Sequence, residues 1–156
     1  MFKNSIKYLL ISSLVFLLSC GYTPIYSKKN NILYLDKISY SGDQVINDEL
    51  KIVLQRYKKN IDSEKIVDLV INSSQTKKII QKNTKGEASS YEISLFVNVE
   101  AKYENKIILN KILKRKGMYA AKNSRSEEKT LENRLLKNMS REIANQVVLD
   151  TTHKLK

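Results

Sequence analysis

The chain of 156 residues is 42% hydrophobic and 28% charged, with four glycines and one proline. That is enough for one buried core, too little for two, and outside the disordered class. The net charge of +12 points to an anionic partner, whether nucleic acid, membrane surface or anionic lipid, without choosing among them. One cysteine, Cys20, and one histidine, His153, exclude an internal disulfide framework, a CxxC metal site and a histidine-rich metal site; no cofactor is expected.

Residues 1–19 read as a leader. Lys3 and Lys7 precede an apolar run from Tyr8 to Leu18, which at about 1.5 Å per residue reaches roughly half of a bilayer core. That is too short to span and fits a signal peptide. The run ends Leu17-Leu18-Ser19-Cys20, which resembles the bacterial lipobox. The resemblance implies diacylglycerol attached at the Cys20 sulfur and cleavage before it; a thiolate is the nucleophile this chemistry needs. Leu18 is bulkier than usual at its position. A catalytic Cys20–His153 pair is set aside in favour of this reading. Removing residues 1–19 takes away two lysines and no acid, so the basic excess belongs to the exported part. That argues against nucleic acid as partner.

Residues 20–30 read as a lipidated tether and 31–156 as one domain. A strand is expected over 31–40, ended by Gly42 and Asp43. Asp43 or Ser41 caps a helix beginning near Val45, whose apolar stripe is Ile46, Leu50, Val53, Leu54, Tyr57 and Ile61. A second strand covers 64–74, with TKKIIQK as a possible extension, and a turn passes through Gly86. The third strand alternates strictly: Tyr91, Ile93, Leu95, Val97, Val99, Ala101 and Tyr103 on one face, polar residues on the other, with Phe96 the exception. A tight turn at Glu104-Asn105-Lys106 makes the fourth strand, KIILNKILKRKGMYA, its hairpin partner. Ser124 and Glu127 have capping-box spacing before a helix of about 28 residues, long enough for one end to project or meet a partner. The expected fold is α+β: order β-α-β-β-β-α, two helices packed on one face of a four-stranded mixed sheet.

No nucleotide-binding, hydrolase or metalloprotease signature occurs. Asp36, Asp68, Glu92 and Glu100 fall at solvated positions, so no catalytic or metal residues are assigned and an enzyme is not expected.

The start Cys20-Gly21-Tyr22-Thr23-Pro24-Ile25-Tyr26 resembles that of lipopolysaccharide-assembly lipoproteins of the LptE type. So do the order of elements, the alternating strand from Tyr91 to Tyr103, and Gly117-Met118-Tyr119-Ala120 before a long C-terminal helix. The Lys- and Asn-rich composition departs from that family. The resemblance implies a lipid-anchored, non-enzymatic protein on the periplasmic face of the outer membrane. Gly21, rather than an Asp, follows Cys20, which agrees with outer-membrane sorting. Such proteins bind, help assemble and plug a large LptD-type β-barrel, and contact lipopolysaccharide.

Lysine and arginine suit its phosphates. The candidates are Lys82 and Lys85 beside the turn between strands two and three, and Lys122 and Arg125 between strand four and the last helix. These converge if the sheet is an antiparallel meander there. Lys114, Arg115 and Lys116 form a second cluster. The rival readings are a periplasm-facing lipoprotein that binds another anionic ligand or envelope partner, and an anchored enzyme.

Overall fold

The computed structural model describes residues 33–58 and 65–155. The expectations for the leader, Cys20, the tether and Ile61 lie outside the described residues. In chain order the elements are β1 (Tyr34–Gly42), α1 (Gln44–Leu54) with a 3₁₀ turn (Gln55–Tyr57), β2 (Ile66–Lys82), β3 (Ala88–Tyr103), β4 (Lys106–Ala120) and α2 (Arg125–Lys154). The fold is the expected β-α-β-β-β-α arrangement. β1 pairs parallel to β2 from Tyr34↔Ile66 to Gly42↔Ser73. β2, β3 and β4 form an antiparallel meander, so the sheet order is β1-β2-β3-β4.

Period-two alternation decides which face the helices cover. Val67, Leu69 and Ile71 of β2, Ile93, Leu95, Val97, Val99 and Ala101 of β3 and Leu109 and Leu113 of β4 are buried beneath α1 and α2. The helices add Ile46, Leu50 and Leu54 from α1, and Leu136, Met139, Ile143, Ala144 and Val147 from α2.

The β1–α1 junction fixes the crossover. Gly42 has φ +92°, a left-handed conformation that L side chains rarely adopt, and an added Cβ would run into the Ser73 carbonyl. Asp43, one of the two expected caps, accepts a hydrogen bond at Oδ1 from the Ile46 amide at 3.1 Å. Beneath it, Ser73 Oγ donates to Asn47 Oδ1 at 2.8 Å, and Asn47 Nδ2 donates to the Ser41 carbonyl at 3.1 Å. Buried polar groups are tolerated here because they satisfy one another.

Local chemistry sets the other boundaries. Glu104 and Asn105 both have positive φ, 49° and 62°, the two-residue turn that suits the right-handed twist of paired strands. Ser124 Oγ accepts from the Glu127 amide at 3.4 Å, as the capping-box spacing anticipates. β1 lies two to three residues later than expected. α1 ends at Leu54 rather than continuing toward Ile61: the 3₁₀ turn redirects the chain so that Lys58 bridges Leu35 of β1. β2 includes the extension, reaching Lys82. α2 has 30 residues, about 45 Å.

β1 stops opposite Ser73, whereas β2, β3 and β4 run on. The sheet therefore has a root, with four strands and both helices, and a tip, with three strands and only the N-terminal turns of α2. From Ser74 onward β2 is exposed apart from half-buried Gln75, because β1 no longer flanks it and α1 no longer covers it. Leu33, where the described chain begins, lies beside the start of β1 at the root end.

Candidate functional site: the cationic tip

The meander brings the β2–β3 turn and the β4–α2 link to the same end of the sheet, and the Ala121 amide donates to the Ser89 carbonyl at 2.9 Å. Asn83 shapes the turn. Its Oδ1 accepts from the Lys85 and Glu87 amides at 2.9 and 3.0 Å, its backbone pairs with Glu87, and Gly86 supplies a φ of +82°. Lys82 and Lys85 stand exposed on this turn, Lys122 and Arg125 on the link. Among the described residues none of the four makes an ion pair. The condition for convergence is met at the level of the sheet end. Lys122 shares a shallow hollow of about 460 Å³ with Asn83 and Glu87; Arg125 lines a neighbouring groove, and Lys82 and Lys85 flank rather than line either.

The other basic run is not one cluster. Lys114 and Lys116 lie on the uncovered sheet face, where Lys114 Nζ sits 4.8 Å from the Phe96 ring centre and Lys116 pairs with Glu92 at 3.0 Å. Arg115 points to the opposite face and pairs with Glu142 of α2 at 3.4 Å. Strand alternation separates neighbours that the linear sequence groups together. Phe96 is the one large apolar residue that β3 places on the uncovered face, as expected; Val70 of β2 and Ile107, Ile112 and Met118 of β4 are exposed there too.

A cluster that the composition did not suggest lies between α2 and the tip. Lys77 Nζ pairs with Glu132 at 2.9 Å and Glu128 at 3.3 Å, and stands 4.1 and 5.2 Å from the ring centres of Tyr91 and Tyr119. Those rings stack at 5.3 Å. Glu132 also accepts from the Tyr119 hydroxyl at 3.0 Å and from Lys129 at 3.2 Å. Burial pulls the Lys77 pKa down, but hydrogen bonds with Tyr119, Glu132 and Glu128 outweigh it and hold it above the usual lysine value. Burial raises Glu132, and Lys77, Lys129 and Tyr119 more than reverse this. The signal was in the sequence: Val67, Leu69, Ile71, Ser73, Gln75 and Lys77 share one face by period two. Glu128 and Glu132 lie one helical turn apart on α2.

Three of the four acids considered as solvated have ordinary partners, and Asp36 is exposed. Glu92 and Glu100 pair with Lys116 and Lys102, and Asp68 accepts from the Lys37 amide at 3.1 Å. Glu49 of α1 is deeply buried, and Lys137 and Arg141 of α2 clamp it at 3.1 and 3.0 Å. That triad ties the two helices together. Among the described residues no group of acids and histidines could hold a metal ion.

The arrangement defines a two-layer α+β domain with a packed root and an open, basic tip. It shares its fold with solved bacterial lipoproteins. Rare lipoprotein B from Shewanella oneidensis superposes with a TM-score of 0.52 at 17% identity, over 76% of this chain and 94% of that one. A minor lipoprotein from Acinetobacter baumannii gives 0.53 at 14%, over 76% and 95%. An uncharacterized lipoprotein B from Nitrosomonas europaea gives 0.51 at 15%, over 81% and 88%. No family model matches the sequence, and no curated protein matches it.

Proposed function

We propose that this chain is an outer-membrane lipoprotein of the lipopolysaccharide-assembly type. It is acylated at Cys20 and held on the periplasmic face. It binds, helps assemble and plugs an LptD-type β-barrel, and it contacts lipopolysaccharide through the tip. One observation carries the reading: a lipobox-like Leu17-Leu18-Ser19-Cys20 and a Cys20-Gly21-Tyr22-Thr23-Pro24-Ile25-Tyr26 start precede a domain with the fold of three solved lipoproteins.

The physical chemistry supports it. Several acyl chains, at about 0.8 kcal/mol per buried CH₂, anchor stably. The mostly polar uncovered face suits a wet barrel interior. Lys82, Lys85, Lys122 and Arg125 suit anionic phosphates. The role is non-enzymatic and needs no cofactor. A second reading, a periplasm-facing lipoprotein that binds a different anionic ligand, draws on the same four cations, because they specify charge and not its carrier.

The test reverses the charge of all four tip cations. Lipopolysaccharide affinity should fall by at least about tenfold, with thermal unfolding unchanged. Unchanged affinity in a folded variant rejects the tip as the contact. Mass spectrometry of the native protein should show an acylated Cys20 at the mature N-terminus; an unmodified thiol rejects the anchor.

A further inference from the structure

The first eleven residues of α2, 125–135, are held differently from the rest of the helix. Between Arg125 and Leu135 no residue is fully buried, and Leu131 and Leu135 are only partly so; between Leu136 and Thr151 eight are buried. The N-terminal turns are fastened to the sheet by Leu131 and Leu135, partly buried against the core, by the pairing of Lys77 with Glu128 and Glu132, and by the Tyr119 hydroxyl on Glu132. A groove of about 710 Å³ opens beside this contact, lined by Lys77, Arg125, Lys129, Glu128, Glu132 and Asn133 among others. Three of those residues are cations. Glu132, with its side chain only 13% exposed, engages two of them, Lys77 and Lys129.

We propose that this groove is an anion site occupied by the chain's own carboxylates: Glu128 and Glu132 are a displaceable internal counter-anion. A phosphate-bearing ligand exchanges with them at Lys77 and the Tyr119 hydroxyl, both on the sheet, and releases the first turns of α2, which carry Arg125 and Lys129. The inference deepens the reading of the tip as an anion-binding end and rests on it for the ligand class. The exchange is plausible in magnitude because both competitors make charge-assisted bonds to the same Lys77 ammonium group. The peptide segment that must lift carries two partly buried leucines and no fully buried residue, so opening it is a local event. The contact is self-inhibiting: it neutralises the positive charge of Lys77 until a stronger anion arrives.

Inorganic pyrophosphate is the probe, because it carries the charge without an acyl chain. Amide hydrogen exchange is followed in the first turns of α2, 125–135, and in 139–151 as a folding control. In the unsubstituted protein, pyrophosphate should speed exchange in 125–135 and leave 139–151 unchanged. Glu128→Gln/Glu132→Gln should exchange fast in 125–135 without pyrophosphate and bind it about tenfold more tightly. Lys77→Met should also exchange fast there, with no further response to pyrophosphate. Pyrophosphate that slows exchange in 125–135, or equal affinity in the double variant with 139–151 protected, overturns the proposal. The experiment uses neither barrel nor lipopolysaccharide, so its failure is distinct from failure of the proposed function.

Discussion

The root and the tip are built from the same strands yet held by different forces. At the root, β1 and α1 add a fourth strand and a second helix, and Ile46, Leu50, Leu69, Ile71, Val97 and Ile143 have essentially no exposed surface. At the tip, β2, β3 and β4 continue with α2 alone. Ile93 and Leu95 are still fully covered there, but Tyr91, Leu131 and Leu135 are only partly so, and ion pairs and stacked tyrosines add to the fastening. Hydrophobic burial is non-directional and tolerant of salt, whereas exposed or half-exposed ion pairs are weak and screened. A domain made this way keeps its fold at one end and leaves the other free to exchange partners.

The largest expected effect breaks the root. Gly42→Ala places a Cβ against the Ser73 carbonyl at a positive φ, and should cost about 4 kcal/mol or more, enough to unfold a marginal domain. Urea denaturation reads this directly; a loss under about 1 kcal/mol would mean the crossover is not rigid. Next, Ile143→Ala at the root should cost about 3 to 4 kcal/mol, whereas Leu131→Ala at the tip should cost about 1. Equal losses would erase the distinction between the two ends.

Acid sharpens it. Burial raises the Glu49 pKa, but hydrogen bonds from Lys137 and Arg141 outweigh burial, so the folded value lies below the ordinary 4.5. A depressed carboxylate contributes stability that is fully present above its unfolded pKa and is lost as pH falls through the folded one. Stability should therefore hold above about pH 5 and decline below 4.5. Lys137→Met/Arg141→Met, which leaves a buried carboxylate unpaired, should reverse the trend around that pH at an overall cost of about 3 kcal/mol. A pH-independent difference between the two proteins would remove Glu49 from the account. Charge reversal at Lys82, Lys85 and Lys122 should move stability least, by under about 0.5 kcal/mol, because these side chains are exposed and unpaired among the described residues.

Much of this was legible in the sequence where a periodicity or a local turn rule governs. The alternation from Tyr91 to Tyr103, the Ser124/Glu127 cap and the Glu104-Asn105 turn each rest on local geometry, and each is found. The meander that gathers the tip cations followed from the two short connections. What was not legible depends on tertiary partners. α1 stops at Leu54 because Lys58 must return beside Leu35, which no stripe of apolar residues encodes. The Lys114-Arg115-Lys116 run divides between two faces. Lys77 looked like one more lysine in TKKIIQK until α2 placed Glu128 and Glu132 over it, although its place on the core face of β2 could have been counted.

The most direct test is purification of the lipidated protein from gently solubilised membranes. The proposed function predicts that a large, heat-modifiable β-barrel is retained with it in stoichiometric amount. Recovery of the intact, acylated chain alone would contradict it.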